Sequence, residues 1–120
     1  MMLTVSARIS SDTLLNDVLP KLNAVEFIIG KRLTMAMAST SEPAELARLS
    51  ELQREFDLEL MMIRMNLEHL FKRYAAIIQP PDKQPQNTVL DLEESEQTAL
   101  QAAVNLYNKV SALAARLPTE

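Results

Sequence analysis

The chain contains no cysteine, no tryptophan and a single glycine, Gly30. Without cysteine there is no disulfide, no thiolate metal site and no thiol nucleophile. With one glycine there is no phosphate-cradling loop, which needs several. No apolar run approaches the ~20 residues of a membrane span. The first eight residues, Met1 to Arg8, lack the basic start and apolar run of a secretory signal. The expected setting is the cytoplasm, with which a cysteine-free chain is compatible.

Positive charge is also scarce. Twelve Lys and Arg against 16 Asp and Glu give a net charge of −4, and the only adjacent basic pairs are Lys31-Arg32 and Lys72-Arg73. Phosphate backbones attract clustered cations, so nucleic acid is not an expected partner of a single chain, although a dimer could pool such pairs.

What is present is helix-forming. Hydrophobic residues make up 48% of the chain, too many for a disordered protein. Ala, Leu, Glu and Met dominate, all good helix formers. At 120 residues the chain suits one domain with one core. The fold class is all-α.

Residues 42–79 predict one long helix, roughly 54 Å at 1.5 Å per residue. Leu49, Phe56, Ile63, Leu70 and Ile77 recur every seven positions, interleaved with Leu60, Leu67 and Tyr74. A second stripe, Leu58, Met62 and Met65, lies on nearly the opposite side. One buried face holds a helix in a small domain, so a second face implies a second neighbour.

The rest of the chain organises around this helix. Residues 1–10 alternate apolar and polar with a strand-like period. They read as a flexible arm, or as a short segment added to a partner, because no other strand offers itself. Helix one spans 11–38 and starts at Ser11 or Asp12, either of which can accept a hydrogen bond from a first-turn N–H. Leu15, Val18, Leu22, Val25, Ile29, Leu33 and Ala36 form its face, and Pro20 predicts a kink or break. A short polar connection ending in Pro43 sets helices one and two side by side and antiparallel. Pro80-Pro81 end helix two and open a linker over 80–90. Helix three spans 91–117, with Leu100, Ala103, Tyr107, Val110, Ala114 and Leu117 in a bundle-type spacing. Asp91, Glu93, Glu94 and Glu96 crowd its start, where free N–H groups favour acids. The expected architecture is an antiparallel helical hairpin with a long central helix plus a third helix, a three-helix bundle completed by dimerisation.

Chemistry is thinly represented. His69 is the only histidine, and Asn66 stands where a bundle metal site would carry the glutamate of Glu-x-x-His. No metal, cofactor or catalytic residue is expected. Glu51, Glu55 and Glu59 share a helix face but read as solvated. No serine lies in a nucleophile elbow. Gly30 lies inside helix one rather than in the tight turn of a helix-turn-helix.

The second stripe has an order. Acids (Glu51, Glu55, Glu59) precede it, and His69, Lys72 and Arg73 follow it. An antiparallel second copy with its two-fold axis near Ile63 or Arg64 sets Glu55 against Lys72, Glu59 against His69 and Glu51 near Arg73, as an isologous contact requires. The competing reading makes the stripe the seat of helix three. Glu55, Leu58, Glu59, Met62, Met65, His69 and Lys72 are therefore the candidate partner or dimer interface. The expected function is that of a non-catalytic interaction protein, a small acidic helical adaptor, chaperone or inhibitor that binds itself or another protein by helix packing. The alternative is a dimeric DNA-associated transcriptional regulator using the two basic pairs.

Overall fold

The computed structural model describes residues 7–78 and 88–117. The alternation before Ala7 and the prolines at 80, 81 and 85 fall outside them. The described residues are mainly helical, with one small two-stranded sheet.

Strand β1 (Arg8–Ser10) leads without a break into helix α1, residues 11–39. The side chain of Ser10, not of Ser11 or Asp12, caps the helix by accepting the Thr13 N–H at 3.0 Å. Ser11 is held elsewhere: it is buried, its N–H donates to the Thr88 carbonyl (2.7 Å) and its Oγ accepts the Thr88 N–H (2.9 Å).

Two stretches of α1, Leu14–Val18 and Ile28–Arg32, are wound as wide π turns. The amides of Leu19 and Leu33 reach back five residues, to Leu14 and Ile28. The spacing of the buried residues explains both. Leu14, Val18 and Leu22, and again Val25, Ile29 and Leu33, are separated by two successive steps of four. In an α-helix two such steps rotate a side chain by about 80° off its face, and a wide turn takes up that excess. The first π turn also immediately precedes Pro20. Proline lacks an N–H and its ring crowds the carbonyl four residues back. Where the bonds already run to the fifth residue, that loss is accommodated. The chain is helical on both sides of Pro20, so the expected break is absent. The first core residue of α1 is Leu14, with Leu15 half-buried beside it.

Helix α2 (Pro43–Arg73) begins with proline at a position whose N–H no helix would use. It buries Leu49, Phe56, Leu60, Ile63, Leu67 and Leu70 of the predicted stripe; Tyr74 is half-buried, and the side chain of Ile77 lies outside those described. It stops short of the expected 79. Tyr74 leaves helical geometry (φ −117°, ψ 24°), and a separate short turn follows at Ala75–Ile78. The Tyr74 hydroxyl accepts the Asp91 N–H (3.1 Å) and donates to the Asp91 carbonyl (2.9 Å).

Strand β2 (Val89–Asp91) was read as the end of the linker and the first residue of helix three. It is the partner the N-terminal alternation lacked in sequence. Arg8 pairs with Asp91, Ile9 with Leu90 and Ser10 with Val89, antiparallel. Ile9 and Leu90 turn into the core, and Arg8 and Asp91 close an exposed ion pair of 3.0 Å. Helix α3 (Glu94–Ala114) therefore starts after Asp91. A capping box starts it: the Glu93 side chain accepts the N–H of residue 96, and the Glu96 side chain accepts the Glu93 N–H.

The three long helices share one apolar core with the ribbon residues Ile9 and Leu90. Across α1 and α2, Glu26 meets Arg64, and the Gln53 amide donates to the Ile29 carbonyl (2.9 Å) and the Thr34 hydroxyl (3.1 Å). Between α1 and α3, Arg32 donates to the Ala114 carbonyl at 3.1 Å and Lys21 lies over the Tyr107 ring. α3 faces both neighbours and so buries a broader set than predicted, adding Ala99, Val104 and Leu106. The molecule measures 52 × 28 × 26 Å, about the length of its longest helix plus a turn at one end.

Gly30 sits in the second wide turn, exposed, with negative φ and no atom within 4 Å of where a Cβ would stand. Neither packing nor backbone conformation demands glycine there. Gly30→Ala is expected to stabilise the fold by about 0.5–1 kcal/mol, measured as a higher urea midpoint with unchanged m.

Candidate interaction surface

α2 is covered on two flanks. Arg64 and Gln53 mark the α1 flank, while Glu59, 4.0 Å from Lys109, and His69, 3.0 Å from Glu96, mark the α3 flank. Between these flanks, on the side away from the core, none of the described residues covers the helix. Leu58, Met61, Met62 and Met65 are exposed there at 54%, 53%, 63% and 66%. The Met stripe is thus not the seat of α3. Met61 was missed in the sequence, yet it completes a three-four spacing through 54, 58, 61, 65, 68 and 72, the narrow seam by which helices pair.

The predicted site residues divide accordingly. Leu58, Met62, Met65, Glu55 and Lys72 are exposed. Glu59 and His69 turn toward α3 and are not brought onto the Met face. Arg73 likewise turns inward, so the Glu59–His69 and Glu51–Arg73 pairings with a second copy lose their basis. The seam carries its own ion pairs. Arg54 binds both oxygens of Glu51 at 2.9 Å on one side of the apolar patch, and Lys72 meets Glu68 at 3.2 Å on the other.

At the far end α3, with 21 residues, is shorter than α2, with 31. Two clefts open where it stops. One of about 320 Å³ is lined by residues including Ala36, Arg48, Leu49 and Leu117. The other, about 420 Å³, lies between Leu52 and Phe56 of α2 and Lys109 and Leu113 of α3. Both are shallow; Glu45, Arg48 and Arg116 line the first, and Glu55, Glu59, Lys109 and Arg116 the second.

The densest polar cluster lies at the opposite end. Glu96 is fully buried. One oxygen accepts the Glu93 N–H (2.8 Å) and the Arg73 guanidinium, and the other faces His69 Nδ1 at 3.0 Å. Glu93 adds a second carboxylate 3.6 Å from Arg73. Burial alone would push the Glu96 carboxyl up. Its Glu93 amide, Arg73 and His69 partners outweigh burial and hold it below the ordinary glutamate value. His69, Glu93 and Glu96 bring ligand atoms within 4.8 Å of one another. The Arg73 guanidinium is the cation that neutralises this cluster, so the arrangement reads as a structural junction. The sequence treated Glu96 only as one acid at a helix start; the Glu93-x-x-Glu96 capping spacing was the signal available.

The basic pairs are largely engaged. Arg32 is bound to Ala114, Lys72 to Glu68 and Arg73 to Glu96. Among the described residues no helix is long and apolar enough to cross a membrane. Compared with protein-family models, with curated proteins and with solved structures, the chain matches none.

Glu96→Ala is expected to destabilise the fold, because it removes the one carboxylate that the Glu93 N–H, Arg73 and His69 share. A folded-state pKa below the ordinary 4.5 means that the unfolded chain binds the extra proton. The carboxylate's stabilisation is therefore complete above pH 4.5 and lost as pH falls through the lowered value. Urea unfolding of the wild type and Glu96→Gln across pH 3–7 checks this: the gap between them should shrink in acid.

Proposed function

We propose that the chain is a non-catalytic protein-interaction module of the adaptor, chaperone or inhibitor kind, acting in the cytoplasm. Its helices close as an antiparallel hairpin, α1 with α2, sealed by α3 into a three-helix bundle. The outer face of α2 completes the assembly by dimerisation. One observation carries this reading: Leu58, Met61, Met62 and Met65 form an uncovered apolar patch on the side of α2 away from its own core. Contiguous exposed apolar surface on a small domain marks a contact site, and methionine's flexible thioether suits a surface that must adapt.

Magnitudes say what kind of dimer this is. Burying eight half-exposed side chains releases on the order of 6–12 kcal/mol. Association costs on the order of 4–15 kcal/mol. Flanking charge pairs add about 0.2–1 kcal/mol each. The surplus is small, so the dimer dissociates on dilution rather than being obligate. The DNA-regulator alternative is not carried forward, since Arg32 is bound to the Ala114 carbonyl and Arg73 to Glu96, which takes one member from each adjacent basic pair.

Light scattering over a concentration series tests the proposal. The wild type should rise from 13.5 kDa toward twice that mass. Met62→Glu should stay monomeric with an unchanged helical circular-dichroism spectrum. A dimer indifferent to this change would place the contact elsewhere and defeat the proposal.

A further inference from the structure

The charges along the seam of α2 carry an orientation. Counted outward from Met61, Arg54 lies seven residues before it and Glu68 seven after. Glu51 lies ten before it and Lys72 eleven after. Leu58 and Met65 sit close in on either side. All of them lie on the uncovered side of the helix, and Glu51, Arg54, Glu68 and Lys72 are exposed. The sign pattern inverts about Met61: minus, plus, apolar, minus, plus.

We propose that the occupant of this face is α2 of a second copy, running antiparallel, with the two-fold axis passing beside Met61. That deepens the dimer reading above and rests on it. About this axis Met61 meets its own counterpart and Leu58 meets Met65. Arg54 faces Glu68 of the other copy, and Glu51 faces Lys72. Each contact occurs twice, as two-fold symmetry requires. The opposite orientation is penalised. Two parallel copies set Glu51 against Glu51, Arg54 against Arg54, Glu68 against Glu68 and Lys72 against Lys72, four layers of like charge. Complementary charge selects orientation and register even where it adds little affinity. The intrahelical pairs Glu51–Arg54 and Glu68–Lys72 hold these side chains on the outer face, so pairing extends a charge row already in place.

The axis differs from one at Ile63 or Arg64. Of that register's three pairs, Glu59–His69 and Glu51–Arg73 lose Glu59, His69 and Arg73 to Lys109 and Glu96 of the same chain, leaving Glu55–Lys72 alone. Moving the axis to Met61 uses only side chains that the fold leaves on the outer face.

The absence of native cysteine makes disulfide trapping a clean test. In the proposed arrangement Met61→Cys lies on the axis and should link to itself under mild oxidation. Arg54→Cys should not. Its two copies would be about 21 Å apart along the helix, at seven residues on each side of the axis and 1.5 Å per residue. A disulfide needs Cβ atoms about 4 Å apart. Glu68→Cys alone should fail for the same reason. An equimolar mixture of Arg54→Cys and Glu68→Cys should link, giving the mixed species as the main product. Self-linking by each of the two variants separately would show a parallel pair and overturn the orientation, leaving the dimer reading intact. Light scattering run alongside keeps the two failures apart: a wild type that stays monomeric throughout removes the dimer and this inference with it. Charge exchange gives a second reading. Glu51→Lys or Lys72→Glu alone should weaken the dimer several-fold at low salt, and combining them should restore it. Failure of the double variant to recover would again overturn the register.

Discussion

A helix in contact with two neighbours still shows a third of its circumference to whatever lies beyond. α2 is this molecule's central case. Leu49, Phe56, Leu60, Ile63, Leu67 and Leu70 are buried between α1 and α3, and all other features are arranged around that contact. α1 must keep one apolar face turned to the core along its length, against α3 in its first half and α2 in its second, and it does so by widening twice. α3 must reach both neighbours, so its buried face is broad and rich in small residues, Ala99 and Ala103 among them. The side of α2 left over is where the exposed methionines collect.

Much of this was legible in the sequence, and the limits have physical causes. The heptad spacing of α2 identified its buried face residue by residue, because hydrophobic period is a property of the helix itself. Pro20 misled. Its effect depends on whether the neighbouring turn is narrow or wide, and that is set by two successive four-residue steps whose significance appears only against a packed partner. The ribbon was missed for a similar reason. Ile9 and Leu90 are 81 positions apart, and a three-residue strand has no signal of its own until its complement is known. Asp91, assigned to a helix start, belongs to that strand.

The interaction surface was partly legible. Leu58, Met62 and Met65 were recognisable as a second stripe, but Met61 was not, since it borders the first stripe's polar flank in sequence. Glu59 and His69 looked equivalent to Glu55 and Lys72 until α3 was in place. α3 draws the first pair inward through Lys109 and Glu96. Partner choice among charged residues on one helix is decided by the neighbouring helix, which a single-helix projection does not contain. Glu96 illustrates the same point from the other side. A carboxylate at a helix start is ordinary; one buried with a guanidinium and an imidazole from the preceding helix ties the end of α2, β2 and the start of α3 into one junction.

The ribbon bears on how the molecule assembles. β1 immediately precedes α1 and β2 nearly abuts α3, so their pairing joins segments separated by the whole of α1 and α2. Closing so long a loop costs entropy before any contact repays it. α1 and α2, by contrast, are joined by a connection of only a few residues. Ile9 and Leu90 thus make the costlier closure of the two, the one that fastens β1, at the start of α1, to β2, just ahead of α3.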